Sequence, residues 1–266
     1  MTSRLWRLFV AAAYLSLNSF MAQSARAADE VDLALVLAVD VSRSMDPEEQ
    51  ELQRQGFVEA FRSPLVHDAI GTGMLGRITV SYMEWSGDTQ QNVVVPWTII
   101  TGPEDASEFA DRLARAPISR IWRTSISGAI EAGSRLLDET GVEPVRRVID
   151  ISGDGPNSSG LTPTLARNAA VARGITINGL PIMLKRPTGY GDMEHLDLYY
   201  RDCVIGGPGS FMVPVRERHQ FADAIKTKII REIAGREAEP TLQRIQAEEP
   251  MDCTAPRGFN WRHQGP

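Results

Sequence analysis

Residues 33–39, LALVLAV, are apolar without a break and run straight into Asp40. A strand with one wet face alternates apolar and polar side chains, so an unbroken run marks a strand covered on both faces. The chain must therefore supply helices to both sides of a sheet. Parallel strands joined by helical crossovers meet that requirement.

The rest of the chain is patterned to match. "DPEEQELQRQGFVEAF" starts a helix with Asp46 as N-cap, Pro47 at its first position and Glu49 completing a capping box. "RITVSYMEW" (77–85) and "QNVVVPW" (91–97) are strands joined by the turn "SGDTQ", an antiparallel hairpin in which Pro96 suits an edge. "GPEDASEFADRLAR" and "SISGAIEAGSRLLDE" carry apolar residues at helical spacing: Ala106, Phe109 and Leu113 in the first, Ile126, Ala129, Ile130, Gly133 and Leu137 in the second. A strand at 145–152, a helix from Thr162 to Gly174, a strand at 175–183, a short last strand "SFMVPV" (210–215) and a helix "FADAIKTKIIREI" follow. The expected fold is α/β: a doubly wound, mainly parallel sheet with one antiparallel edge strand and helices on both faces.

The two ends read differently. Arg4 and Arg7, the apolar "LFVAAAYLSL" and the small residues "ARA" (25–27) form a secretory signal peptide over 1–27, leaving a domain at 28–235. Residues 236–266 are rich in charge and proline without a sustained period, and read as a loosely ordered extension. Cleavage removes three arginines and takes the formal charge from −6 to −9. Such an acidic, exported chain, periplasmic or secreted, is a poor partner for nucleic acid or an anionic membrane, and no insertion into a bilayer is expected after cleavage. Cys203 and Cys253 are the only cysteines; in an oxidising compartment they can tie the extension to the domain, and two unpaired thiols are equally compatible with the sequence.

Past the buried run, Asp40, Ser42 and Ser44 alternate with Val41 and Arg43, so an extended turn aims three oxygen-bearing side chains to one side. Asp154 follows the run "VIDIS" in a glycine-flanked turn; Asp150, inside that run, faces a helix or the sheet's flank. "IWRTSISGA" brings Thr124 to the start of another helix, with Ser125 and Ser127 close by. Parallel strands deliver all these turns to one edge of the sheet, where ligands bind in doubly wound folds. Two carboxylates and three hydroxyls, with no imidazole or thiolate, suit a hard divalent cation such as Mg2+ or Mn2+. Two carboxylates only just neutralise such an ion, which leaves a coordination position for an outside acid.

These residues resemble a known signature. "DVSRSM" after an apolar strand is similar to the D-x-S-x-S motif of the von Willebrand factor type A (vWA) family, and the order of elements resembles that family over residues 31–235. The whole resembles an exported bacterial branch of it. The resemblance implies a metal ion-dependent adhesion site (MIDAS) with Asp40, Ser42 and Ser44 in the first motif, Thr124 as the later threonine and Asp154 as the aspartate after the fourth strand. It implies an exported binding module, not an enzyme, that captures a carboxylate of a protein partner. Two features depart from the pattern: "ISGDG" replaces the commoner threonine-aspartate-glycine run, and residues 184–211 have no counterpart and offer a recognition surface near the metal edge.

A metal-assisted hydrolase is the alternative, with His195 or Glu84 as general base, and a structural domain with a stabilising ion is a third. No G-x-S-x-G elbow, H-E-x-x-H helix or phosphate loop is present. "DMEHLD" (192–197) reads as a helix start capped by Asp192 rather than a second metal site, and Trp85, Trp97 and Trp122 as packing aromatics.

Overall fold

β1 (Glu30–Asp40) lies at the centre of a five-stranded sheet, as its unbroken apolar run requires. A computed structural model describes residues 29–184, 193–235 and 251–254. The expected signal peptide, most of the extension and Asp192 lie outside those residues. With β2 (Ile78–Trp85), β3 (Gln91–Ile100), β4 (Glu143–Gly153) and β5 (Ile175–Pro181), the sheet order is β3-β2-β1-β4-β5. β1 pairs in parallel with β2 and β4, and β4 with β5; β3 is antiparallel to β2 and occupies one edge, where Pro96 is tolerated.

Alternation along β1 divides the core. Leu33, Leu35, Leu37 and Val39 face α1 (Pro47–Arg62), α2 (Pro64–Gly71), α3 (Pro103–Arg115) and α7 (Phe221–Ala234), packing with Phe57, Phe61, Phe109, Phe221, Ile225 and Ile229. Ala34, Val36 and Ala38 face α4 (Ile126–Asp138), α5 (Pro163–Ala172) and a short α6 (Leu196–Tyr199) that runs on into a π-helical turn, Tyr200–Val204. Each such buried aliphatic or aromatic side chain contributes about 1.5–3 kcal/mol, so both layers are firmly seated. The capping box forms as expected: Asp46 accepts from Glu49 N–H at 2.8 Å and Glu49 accepts from Asp46 N–H at 2.9 Å.

The strand expected at 210–215 does not form. Isolated parallel bridges, Gly179 with Met212 and Ile182 with Val215, stand in its place beside β5. Pro181 brings no amide hydrogen to that ladder, although Val213 N–H and Val215 N–H still donate to Gly179 O (3.0 Å) and Pro181 O (2.9 Å). Asn178 Oδ1 takes the Phe211 N–H at 2.8 Å, diverting one more donor. The cysteine question is settled: Cys203 and Cys253 are disulfide-bonded, with Cα atoms 5.5 Å apart, so residues 251–254 are stapled to the π-helical turn.

Candidate functional site

β1, β2, β4 and β5 all end on one edge, and the turns beyond them meet there. Asp40, the last residue of β1, is fully buried, and its Oδ1 accepts the Ser42 N–H at 2.7 Å. This Asx-type turn bends the chain so that Ser42 and Ser44 hydroxyls lie 2.7 Å apart. Ser44 Oγ then donates to Asp154 Oδ1 at 2.6 Å, across 110 residues of sequence. Four of the five expected residues thus form one continuous cluster.

Thr124 is brought to the same edge through its backbone. Its loop is pinned to β1 by Ile121 N–H to Val41 O (3.1 Å) and to the end of β2 by Ser125 N–H to Ser86 O (2.5 Å). Thr124 O accepts Ser158 N–H at 2.7 Å and Ser159 N–H at 3.2 Å, and Thr124 N–H donates to Ser158 Oγ at 3.0 Å. Ser125, a neighbour weighed with it, caps α4 by accepting Gly128 N–H at 3.1 Å.

The electrostatics of Asp40 set it apart. Burial, and next the repulsion of Asp154, push its carboxyl well above the usual carboxylate range; the backbone and hydroxyl of Ser42 and the backbone N–H of Asp154 offset only part of this. Its Oδ2 is buried and has no hydrogen-bond partner among the described residues. A buried carboxylate oxygen in that state costs on the order of a few kcal/mol unless a proton or a cation neutralises it. A Cβ at Gly153 would stand 2.9 Å from this oxygen, so the absence of a side chain there keeps its surroundings open. The donor set therefore fits a hard cation. Among the described residues no group of three or more His, Cys, Asp or Glu could hold a metal ion; any cation here would rely on two carboxylates supplemented by hydroxyls.

Several supporting residues were not legible in the sequence. Gln50, Gln53 and Arg54 form a buried polar stripe on the inner side of α1. Gln50 Nε2 reaches Ser42 O (3.4 Å), Gln53 Nε2 reaches Asp40 O (3.3 Å), and Arg54 pairs with buried Glu84 at 2.5 Å while donating to Leu113 O and Ala116 O. Their spacing, i, i+3, i+4, places them on one face of α1, and nothing in the local pattern marks that face as buried. Burial raises the Glu84 carboxyl, and Arg54 partly restores it; its other oxygen accepts Ser119 N–H at 3.2 Å. Glu84 therefore braces the loop that carries Thr124. On the other side, Tyr199 Oη accepts Asn157 N–H at 3.2 Å and Tyr200 Oη donates to Gly153 O at 3.5 Å, backing the turn that bears Asp154.

Other expectations resolve as follows. Asp150 does face a helix, paired with Lys228 at 2.7 Å. His195 is the N-cap residue of α6, and Asp197 pairs with Arg216 at 2.5 Å. Trp85 is buried and Trp97 packs at the core's margin, but Trp122 is a correction: it is 64% exposed, because its loop leaves the sheet edge before turning in at Thr124.

A doubly wound sheet of this order with the candidate cluster at its carboxyl edge defines a vWA-type α/β domain, and comparison with solved structures bears out that fold. Proximal thread matrix protein 1 from the mussel byssus is 12% identical, with a TM-score of 0.57, covering 78% of this chain and 48% of that one. A form of that protein with a zinc-occupied MIDAS motif gives a TM-score of 0.50 at 13% identity, over 76% of this chain and 46% of that one. A von Willebrand factor type A protein from Catenulispora acidiphila gives 0.54 at 12% identity, over 76% and 43%. The SpRpn10 VWA domain gives 0.51 at 14% identity, over 74% and 95%. The chain spans about half or less of the mussel and Catenulispora proteins. Residues 30–237 match the family described as "Protein of unknown function (DUF1194)", and the chain belongs to that family. No curated protein matches the sequence.

Proposed function

We propose that residues 28–235 form an exported binding module that holds a divalent cation, Mg2+ or Mn2+, on Asp40, Ser42, Ser44, Thr124 and Asp154. The cation supplies an open coordination position for a carboxylate of a protein partner, and the chain's own residues do the rest. Asp40 and Asp154 balance the charge, and the serine hydroxyls fill the hard-oxygen set. Gln50, Gln53 and Glu84 hold the loops in place.

The observation that carries this reading is the buried Asp40 Oδ2, which has no hydrogen-bond partner among the described residues. The zinc-occupied MIDAS motif of the mussel protein lends support on the same fold. Export, to a periplasmic or extracellular space, is supported by the Cys203–Cys253 disulfide. Among the described residues no helix is long and apolar enough to cross a membrane.

Titration calorimetry with Mg2+, Mn2+ and Zn2+ tests it. The wild-type protein is expected to bind at least one of them with a one-to-one stoichiometry, and Asp40→Ala to lose that heat while keeping a cooperative melt. Equal heats for both proteins would end the proposal.

A further inference from the structure

Two loops run side by side past the cluster. Ser42 bridges Ile121, Ile121 N–H donates to Val41 O, and Arg120 Nη2 reaches Met45 O at 3.4 Å. Ser42 and Ser44 direct their hydroxyls to the cluster, whereas Arg43 between them is exposed, and its guanidinium lies 4.0 Å from the centroid of the Trp122 ring. Trp122 is the one aromatic ring among the exposed large hydrophobic side chains of the described residues. Arg123 follows it with φ 76°, the one described non-glycine residue in the left-handed region. That conformation costs on the order of 1 kcal/mol or more and persists only where its surroundings enforce it. Here the bonds of Thr124 to Ser158 and Ser159 enforce it, so the chain doubles back with Trp122 and Arg123 outside and Thr124 buried.

The charge at this rim runs against the rest of the protein. The chain carries a formal charge of −6, yet these two loops expose three guanidiniums, those of Arg43, Arg120 and Arg123. Outside the cation cluster itself, the acids nearest Arg43 in sequence, Asp46 and Glu48, are engaged by Arg218 at 3.6 and 2.6 Å. Asp88 is the one exposed acid among the described residues at the rim's margin: it follows Gly87, whose added Cβ would lie 3.7 Å from Arg123 Cβ, and it packs against Gly128 and Gly160, so three guanidiniums face a single carboxylate there. Stacking on an indole uses the face of a guanidinium and leaves its N–H edge to fork a carboxylate. Exposed Trp and Arg together are the composition of a binding hot spot.

We infer that Arg43, Trp122 and Arg123, with Arg120 beside them, are a second contact surface for an acidic protein segment. One carboxylate of the segment goes to the cation, and a neighbouring carboxylate is gripped by the arginine rim against Trp122. The inference rests on the cation-site reading and deepens it: the partner presents at least two acidic residues in one short stretch. An acidic chain as a whole disfavours an anionic membrane at this surface, because the rim is the exception to its charge.

Fluorescence anisotropy with two end-blocked, labelled peptides, GGDGG and GDEDG, tests it in Mg2+ at physiological salt. GDEDG is expected to bind about tenfold more tightly, the value of one charge-assisted pair. Arg43→Gln with Arg123→Asn, chosen because Asn tolerates positive φ, is expected to bring the two peptides to within about twofold. It should leave GGDGG binding unchanged. Arg135→Ala, in the last turn of α4 far from the site edge, is the control and should change neither. A difference that survives the double variant overturns the inference. So does an equal loss in Arg135→Ala, no binding of either peptide, or displacement of GDEDG by phosphatidylserine vesicles. If the arginine-dependent difference persists unchanged in EDTA, the cation reading fails and the rim stands. Mg2+-dependent binding with equal affinities does the reverse.

Discussion

Replacing Gly153 by alanine probes the packing behind Asp40. The added Cβ would lie 2.9 Å from Asp40 Oδ2 and 3.1 Å from the Tyr200 hydroxyl, where ordinary contact begins near 3.4 Å. Something must move by about half an ångström. β4 is held, because Gly153 pairs with Pro181 and its carbonyl accepts Ile182 N–H at 2.9 Å. Tyr200 is fully buried and its ring closes on Gly179, so it has no room to withdraw. Asp40 therefore shifts, against its 2.7 Å bond from Ser42 N–H. Overpacking of this kind costs about 1–3 kcal/mol, and at roughly 2–4 °C per kcal/mol for a domain of this size a cost near 2 kcal/mol lowers Tm by about 4–8 °C. Mg2+ demands near-ideal octahedral geometry, so the same shift is expected to weaken it by about tenfold or more. Gly155→Ala is the control: it lies in the same turn, its φ is not positive, and nothing stands within 4 Å of its added Cβ. Melting curves with and without Mg2+, and calorimetric titration, read both effects. A Tm drop of the expected size with wild-type Mg2+ affinity would refute Asp40 as a ligand, and an unchanged Tm would refute the packing argument.

Cys203→Ser opens a crosslink spanning 50 residues, for which loop-closure entropy gives about 4 kcal/mol. The expected fall in Tm is roughly 8–16 °C, and melting curves that coincide with and without reductant would contradict it. Asp202 supplies a pH dependence: Arg201 first, with Met251 N–H also contributing, holds its carboxyl below the usual range. A carboxyl lowered by folding stabilises above its unfolded value of about 3.9 and loses that contribution as pH falls through the folded one. The protection factor of the Met251 amide is therefore expected to drop as pH falls below about 4, and a profile that stays flat down to about pH 2 would exclude the contact.

What the sequence disclosed is what periodicity and capping chemistry encode locally. The run at 33–39 could only be a doubly covered strand, and Asp46 with Glu49 could only begin a helix there; both appear in place. The clustering of Asp40, Ser42, Ser44 and Asp154 was legible because strand ends in a parallel sheet share an edge. Residues that act by tertiary contact left no such mark. Tyr199 and Tyr200 lie in a segment with no recognised pattern, yet they back the Asp154 turn from 42 and 47 residues away. Gln50, Gln53 and Arg54 are polar side chains that are buried, because the loops at the sheet edge present carbonyls for them to reach. The last strand is reduced to isolated bridges by its neighbour: Pro181 of β5 brings no amide hydrogen and Asn178 Oδ1 takes the Phe211 N–H, a tertiary contact the segment's own pattern does not encode.

Two of the carboxylates that the sheet buries, Asp40 and Asp150, are treated in opposite ways. Asp150, on β4, is given a cation by the chain: Lys228 of α7 sits 2.7 Å away and also pairs with Glu232, whose second oxygen accepts Asn178 Nδ2–H at 2.6 Å. Burial pushes both carboxyls up and Lys228 pulls both back, so the charge is met within the fold. Asp40 is equally buried, but no lysine or arginine among the described residues pairs with it. The one nearby in sequence, Arg43, points outward and stacks on Trp122. A fold that needed Asp40 only for structure could have neutralised it as it neutralised Asp150, or replaced it with an apolar residue at little cost. Leaving a carboxylate without an internal counter-charge, at the edge where loops converge and opposite a glycine that keeps its oxygen uncrowded, is the arrangement expected when the missing charge comes from outside.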